Sequence, residues 1–261
     1  MSLLSPIRSV VLGLIKLVPD SQRRLFDLWL ETHAADPTPE AVVHAYLAGR
    51  FPLTCPDSGQ IFWRTENPRG LIPIHEFHIP KNLKRLLRRD TFRVSIDCCF
   101  EDVARKCSDR DETWMTPQIV DLYSELHQRG FAHSFEVWQE GDDLVGGYFG
   151  LAIGGYFVGI SQFNEVRDAG KIAFLHCLHT LRDHSFAMHD VQAFTSHLEQ
   201  FGCFQLERDD FQQQMLKAVA SPATLDWSAH KLPVETSVAV LGEGEDTAKK
   251  SPSKSQSEAS V

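Results

Sequence analysis

Leu144-Val-Gly-Gly-Tyr-Phe-Gly-Leu-Ala-Ile-Gly-Gly-Tyr-Phe-Val-Gly-Ile-Ser161 reads as two strands folded back on each other. Aromatic, β-branched and glycine residues fill both arms, and Gly154-Gly155 supplies the positive φ that a tight hairpin needs. Upstream, His133 to Trp138 reads as another strand, preceded by a helix that Thr116 caps, Pro117 opens and Gly130 ends. Downstream, Ile172, Leu175, Leu178, His179 and Arg182 recur at helical spacing within Asp168 to Asp183. Ala187 to Ala193 then reads as a strand, and Thr195 opens a helix ending at Gly202. A short strand, Cys203 to Leu206, precedes a last helix from about Asp209. This order implies an α+β fold with a mainly antiparallel sheet, an arrangement many folds share.

Toward the N-terminus, Thr38-Pro39 opens a helix over Glu40 to Arg50, and the Pro- and Gly-rich stretch from Phe51 to Gly70 is expected to hold short strands and turns. Pro80 to Asp90 and Phe100 to Lys106 read as helices flanking a strand over Phe92 to Ile96. Apolar residues of Ser2 to Val18 recur at three- and four-residue spacing, and a second helix is expected over Asp20 to Thr32. Four regions follow: a helical extension over 1–37, a small α+β domain over 38–96, a main domain over 97–222, and a tail over 242–261. That tail has almost no large apolar residues and is expected to be disordered.

Composition narrows the function. The 261 residues are 43% hydrophobic and 23% charged, enough for a packed core. Net charge is −9, which argues against non-specific coating of nucleic acid but leaves room for a local basic patch. Arg8 and Lys16 interrupt the first apolar run, so no membrane-spanning helix and no cleaved leader is expected there. Six scattered cysteines without a C-x-x-C pair read as free thiols of a cytoplasmic protein. No metal site is expected, because His75-x-x-His78 and His176-Cys-x-His179 lack a recognisable third ligand. A phosphate-cradling P-loop and a G-x-S-x-G elbow are both missing.

The local basic patch is conspicuous. Lys81, Lys84, Arg85, Arg88 and Arg89 fall on one helical face, with Leu83, Leu86 and Leu87 opposite. Like charges at this spacing repel by a few tenths of a kcal/mol per pair, roughly, so a polyanion would relieve a standing cost. A solvated face balanced by acidic neighbours is the competing reading.

Several fragments, in order, resemble one family. They are Ala45-Tyr-Leu-Ala-Gly-Arg-Phe-Pro52, Ile61-Phe-Trp-Arg-Thr-Glu-Asn-Pro-Arg69, the basic helix, and Thr113-Trp-Met-Thr116. His133-Ser-Phe-Glu-Val-Trp138, Leu144-Val-Gly-Gly147 with Gly150, and Asp190-Val-Gln192 with His197-Leu198 and Gly202 complete the series. Together they are similar to leucyl/phenylalanyl-tRNA–protein transferases. The resemblance implies a small N-terminal domain and a GCN5-related acyltransferase-like C-terminal domain. The implied reaction moves Leu, Phe or Met from aminoacyl-tRNA to a protein N-terminus bearing Arg or Lys, as a tag for N-degron proteolysis. No cofactor is implied, and a monomer is expected.

That reaction is aminolysis of an ester by an α-amino group, whose ordinary pKa of about 7.7–8.0 leaves a useful neutral fraction at pH 7. Positioning and oxyanion stabilisation therefore matter more than a strong base. Asp190 and Gln192, two apart on an expected strand, share a face and match the family's catalytic pair. The carboxylate is expected to orient the ammonium, and the amide to donate and accept. By resemblance Trp63, Trp114, Tyr148, Phe157, Ile160, Ser161 and Phe163 match or adjoin the aminoacyl and adenosine pocket, and Lys81, Lys84, Arg85, Arg88 and Arg89 the tRNA-binding surface.

Gly159-Ile-Ser-Gln-Phe-Asn164 departs from the family's usual Gly-Glu-Ser-Met-Phe-Ser, so Ile160 stands where an acid is expected and Gln162 where a methionine is. Arg64 replaces a second tryptophan. Losing a carboxylate that could hold a cationic amine or the terminal adenosine is expected to weaken recognition of a basic N-terminus by on the order of 1–3 kcal/mol. Two alternatives stay open: a non-catalytic tRNA- or degron-binding homologue, and an acyl-CoA-dependent N-acetyltransferase. Arg167-Asp-Ala-Gly170-Lys-Ile172 approaches the latter's pyrophosphate turn but departs from it at Ile172.

Overall fold

The computed structural model describes residues 37–89, 91–139, 142–223 and 225–227, and the backbone of 236–237. The two helices expected before residue 33 and the tail over 242–261 lie outside the described residues.

Thr38 opens α1 (Pro39–Leu47) by accepting a hydrogen bond from the Ala41 amide, with proline at the first helical position. An antiparallel hairpin, β1 (Arg50–Thr54) and β2 (Ile61–Thr65), follows as its own two-stranded sheet. The remaining strands form one sheet. They are β3 (Arg69–Ile72), β4 (Arg93–Ile96), β5 (Ala132–Gln139), β6 (Asp143–Ile153), β7 (Tyr156–Asn164), β8 (Met188–Gln192), β9 (Phe204–Leu206) and β10 (Thr236–Ser237), in the order β10-β4-β5-β6-β7-β8-β3-β9. Every pairing is antiparallel except β7 with β8, which are joined across α5 (Ala169–Asp183). The class is α+β, as expected. Because β3 and β4 belong to this sheet, residue 96 lies inside one hydrogen-bonded ladder. β3 begins at the end of the Phe51–Gly70 stretch expected to hold short strands and turns, just after the cis Asn67–Pro68 bond.

Side chains alternate along each strand and divide the core into two layers. Phe149, Leu151, Ile153, Tyr156, Val158 and Met188 face one layer, which is closed by α1, α3 (Phe100–Ser108), α4 (Pro117–Gln128), α7 (Arg208–Ala220) and the β1–β2 hairpin. Phe135, Val137, Tyr148, Ala152 and Phe157 face the other, beneath α5 and α2 (Lys81–Leu87). The short α6 (Ser196–Glu199) is capped by Thr195, whose hydroxyl accepts from the Leu198 amide. The β6–β7 turn needs glycine: Gly154 has φ +61°, and a Cβ there would overlap the Val219 carbonyl.

The His133–Trp138 motif is a buried hydrogen-bond chain. Trp138 Nε1 donates to Ser95 Oγ (2.7 Å), Ser95 donates to Glu136 Oε2 (2.6 Å), and Ser134 donates to Glu136 Oε1 (2.5 Å). Glu136 is wholly buried, and burial pushes its carboxyl up to about 7, against the two hydroxyls that favour the ionised form. In the unfolded chain it titrates near its ordinary 4.5. Between these values the unfolded state releases a proton that the folded state keeps, so stability falls as pH rises through the window. The Glu136→Gln protein is therefore expected to gain melting temperature over wild type at pH 8 and to lose most of that gain at pH 5. Parallel pH curves for the two proteins would contradict this.

Close packing between β6 and β7 makes a second prediction. A Cβ at Gly159 would overlap the Tyr148 hydroxyl and lie 2.7 Å from its Cζ. Tyr148 cannot swing away freely, because its hydroxyl is 2.9 Å from His189 Nε2 in the same layer. Gly159→Ala is expected to cost about 1–3 kcal/mol by overpacking. Tyr148→Phe in the same chain should return part of it, measured as non-additive urea-unfolding free energies.

Candidate active site

Strand β8 carries Asp190 into the layer it shares with Tyr156 and Met188, and pairs it with Leu71 of β3. Four donors converge on its carboxylate. Arg69 Nε lies 2.9 Å from Oδ1 and 3.0 Å from Oδ2, and Arg69 Nη2 lies 2.8 Å from Oδ2. The Tyr156 hydroxyl donates to Oδ2 at 2.5 Å, and the Gln192 backbone N–H to Oδ1 at 2.7 Å. Asp190 is 0% exposed and Arg69 1%. Burial disfavours the Arg69 charge, but the adjoining carboxylate outweighs it and the guanidinium pKa ends raised. Burial, then Asp190, pushes the Tyr156 phenol well above its ordinary value.

Arg69 is held on its other sides too. Its Nη1 donates to the Gly49 carbonyl at 3.3 Å, and its guanidinium lies 5.0 Å from the Phe51 ring centroid and 5.1 Å from that of Phe211. Gly49 has φ +74°, the left-handed region where glycine is favoured, and it aims that carbonyl inward between α1 and β1. Behind this lies a buried pair of hydroxyls, Tyr46 and Tyr123, 2.7 Å apart.

Gln192 stands at the end of β8, half-buried, with φ +64°. Its N–H is tied to Asp190, and its side-chain Nε2 donates to the Gly159 carbonyl at 2.9 Å. The amide oxygen is thereby aimed away from β7. So Asp190 is enclosed and Gln192 is accessible, which differs from the expected carboxylate facing the substrate ammonium. The cause is Arg69, which sequence spacing cannot bring to Asp190 from 121 positions away.

The expected pocket residues divide between the layers. Trp63, Trp114, Ile160 and Phe163 pack in the layer of Asp190, with Trp114 and Ile160 only partly buried. Ser161 lies near the buried Cys107 thiol, which burial pushes up to about 12 against the lowering influence of the Ser161 hydroxyl. Tyr148 and Phe157 point into the opposite layer as core, because they alternate with Phe149 and Val158. Of the departures, Arg64 pairs with Glu66 at the surface (2.8 Å), and the Gln162 carbonyl accepts from Arg110.

The helix expected over Pro80 to Asp90 is the shorter α2, with Arg88 as its C-cap and Arg89 past its end. Leu83 and Leu87 are buried, Lys81, Arg85, Arg88 and Arg89 are exposed, and Lys84 is half-buried. Among the described residues, no acidic side chain pairs with Lys81, Arg85, Arg88 or Arg89. Its leucines pack on the sheet face opposite the one carrying Asp190.

Sequence spacing did not anticipate one cluster of metal-ligand types. Potential ligand atoms of Asp97, His127 and His133 all lie within 4.8 Å of one another. They are already engaged: His133 Nδ1 with Asp97 Oδ2 (2.7 Å), His127 Nδ1 with the Ala132 carbonyl (2.8 Å), and Asp97 Oδ1 with the Ser134 amide (2.8 Å). The His133 ring also stacks on Trp227 at 3.6 Å. Hydrogen bonding accounts for this trio without a metal.

Known proteins bear on the site directly. The family described as leucyl/phenylalanyl-tRNA protein transferase matches residues 71–216. Leucyl/phenylalanyl-tRNA–protein transferase of Salinibacter ruber is 44% identical over 193 residues, 74% of this chain and 84% of that one. That of Herpetosiphon aurantiacus is 38% identical over 188 residues (72% and 97%), and that of Paramagnetospirillum magneticum 40% over 197 (74% and 94%). Among solved structures, L-PGS from Bacillus licheniformis is similar at 10% identity with a TM-score of 0.35, over 69% of this chain and 62% of that one. With the matched segment running from the second half of β3 into α7 and so containing Asp190, Gln192 and the strand that presents Ile160, the chain belongs to the leucyl/phenylalanyl-tRNA–protein transferase family.

Proposed function

We propose that this protein transfers leucine or phenylalanine from charged tRNA to the α-amino group of a protein N-terminus, with Gln192 as the residue that meets the attacking amine. The observation that carries the assignment to Gln192 is its tethering. The backbone N–H and one Nε2 N–H are bonded to fixed partners, which fixes the amide plane and makes Oε1 a pre-aimed hydrogen-bond acceptor. An amide oxygen is too weak a base to remove a proton, but it orients the amine nitrogen lone pair toward the ester carbonyl. The N–C bond forms and the C–O bond to the ribose breaks. The proton lost by the amine ends on the leaving ribose oxygen, which gives an amide and free tRNA. Asp190 holds Gln192 in place without touching the substrate.

Trp63, Trp114, Ile160, Ser161 and Phe163 supply an apolar lining suited to a leucyl or phenylalanyl side chain, where each buried CH₂ contributes about 0.8 kcal/mol. Lys81, Lys84, Arg85, Arg88 and Arg89 contact the tRNA backbone. We read the β6–β7 pair, α5 and parallel β8 as a GCN5-related acyltransferase-like arrangement. The free cysteines fit a cytoplasmic monomer acting on Arg- or Lys-starting proteins bound for N-degron proteolysis. Among the described residues no helix is long and apolar enough to cross a membrane.

Labelled leucine is expected to pass from Leu-tRNA to a protein beginning with Arg or Lys, and Gln192→Ala to lower kcat about 10²-fold with little change in tRNA affinity. Transfer unaffected by Gln192→Ala would remove that residue from the reaction, and tRNA binding without transfer would favour an adaptor. Arg85→Glu with Arg88→Glu should weaken tRNA binding and reduce its log–log salt slope by about two. An unchanged slope would move the tRNA surface away from α2.

A further inference from the structure

We propose that Arg69, assisted by Tyr156, is a positioning residue for the transfer reaction: it saturates Asp190 and turns that carboxylate into a clamp on the Gln192 backbone rather than a base or an ammonium partner. The inference rests on the transferase reading and deepens it.

The argument starts from lone pairs. A carboxylate offers about four acceptor directions. Here Oδ1 receives Arg69 Nε and the Gln192 N–H, while Oδ2 receives Arg69 Nη2 and the Tyr156 hydroxyl, all within 2.5–2.9 Å. No acceptor direction is left for a substrate, and Asp190 has no exposed surface from which to reach one. What remains is geometric work. Gln192 sits in the left-handed region, which residues with a Cβ enter only when held. The holding bond is its own N–H to Asp190 Oδ1. Arg69 fixes that oxygen, since the planar guanidinium fork sets both carboxylate oxygens at once, as a lysine cannot.

The fork is itself immobilised from three directions: the Gly49 carbonyl, the Phe51 ring of β1 and the Phe211 ring of α7. Rigidity therefore passes from the N-terminal hairpin and the last helix, through Arg69 and Asp190, to Gln192 Oε1. Tyr156, from β7, completes the clamp beside the strand whose Gly159 carbonyl holds the Gln192 side chain.

Charge exchange separates positioning from charge-based catalysis. Asp190→Asn alone sets an amide NH₂ against the Arg69 donors and should lower kcat at least 100-fold. Arg69→Met combined with Asp190→Asn removes both charges but keeps a carbonyl oxygen at position 190 to accept the Gln192 N–H. Positioning predicts that this double variant recovers to within about tenfold of wild type in kcat. KM for both substrates should stay unchanged, as should the pH profile between pH 6 and 9. The groups facing Asp190 are Arg69 and Tyr156, with Tyr46 beyond Arg69 and Tyr148 and Cys203 acting at longer range. The phenols and the thiol among them all have raised pKa values, so the amine of the substrate sets the profile.

A double variant that folds with wild-type cooperativity yet remains as slow as Asp190→Asn would overturn the proposal, because the carboxylate charge would then be indispensable. Should the double variant not fold, Tyr156→Phe decides. It removes one buried hydroxyl and is expected to lower kcat three- to tenfold at constant KM, and an unaltered kcat would overturn the clamp. Wild-type protein that transfers no amino acid would instead overturn the transferase reading and this inference together, an outcome distinct from an active wild type insensitive to these changes.

Discussion

Two opposite charges, Arg69 and Asp190, face each other at 2.8 Å with no water-exposed surface between them. Taking both out of water costs several kcal/mol per ion, roughly, and mutual attraction repays it only with good geometry and satisfied lone pairs. The geometry is bidentate, Tyr156 and Gln192 complete the carboxylate's acceptor positions, and Gly49 takes a further guanidinium N–H. Breaking such a pair from one side costs about 3–5 kcal/mol, since it strands a buried charge. Segments that supply the pair's surroundings are consequently bound together: the α1–β1 turn, β3, β7, β8 and α7. The β1–β2 hairpin has its own sheet but is tied to the main one through this arginine.

Strand alternation then decides what each neighbour can do. Along β7, Tyr156, Val158 and Ile160 fall in the layer of the ion pair, and Phe157 falls in the other. A residue beside the site in sequence is thus as often core on the far side. The same rule separates the basic helix from Gln192. Leu83 and Leu87 anchor α2 under the opposite sheet face, so the two surfaces proposed for docking and for transfer belong to different layers.

Much of this fold was readable from periodicity. α5 and the β6–β7 hairpin carry unambiguous spacing, and Thr38-Pro39 and Thr195 are local caps that need no tertiary context. The site was readable only as residue types. Asp190 and Gln192 stood out by resemblance and spacing, but their division of labour depends on a partner 121 positions away from Asp190. β3 begins inside the stretch expected to hold short strands and turns and runs two residues past it, where pairing with β8 and β9 on either side makes it a strand. Glu136 shows the converse: a motif residue that looks chemical is a structural acceptor for two serines. Burial, which no local pattern encodes, separates these cases.

With Asp190 saturated and isoleucine at position 160, neither of these two positions offers a carboxylate to an incoming ammonium. That combination has a chemical consequence for the transfer reaction. An anion beside an amine favours its protonated form and raises its pKa, strengthening binding of a cation while reducing the neutral nucleophile. In the proposed mechanism the amide oxygen of Gln192 accepts a hydrogen bond from the neutral amine without that bias. Exchanging an acid for Ile160 therefore gives up some affinity for positive charge at the N-terminus and keeps more of the amine reactive near its ordinary pKa of about 7.7–8.0. In the proposed mechanism the saturated Asp190 and the apolar Ile160 act in the same direction, leaving the attacking amine without an adjacent carboxylate to hold it protonated.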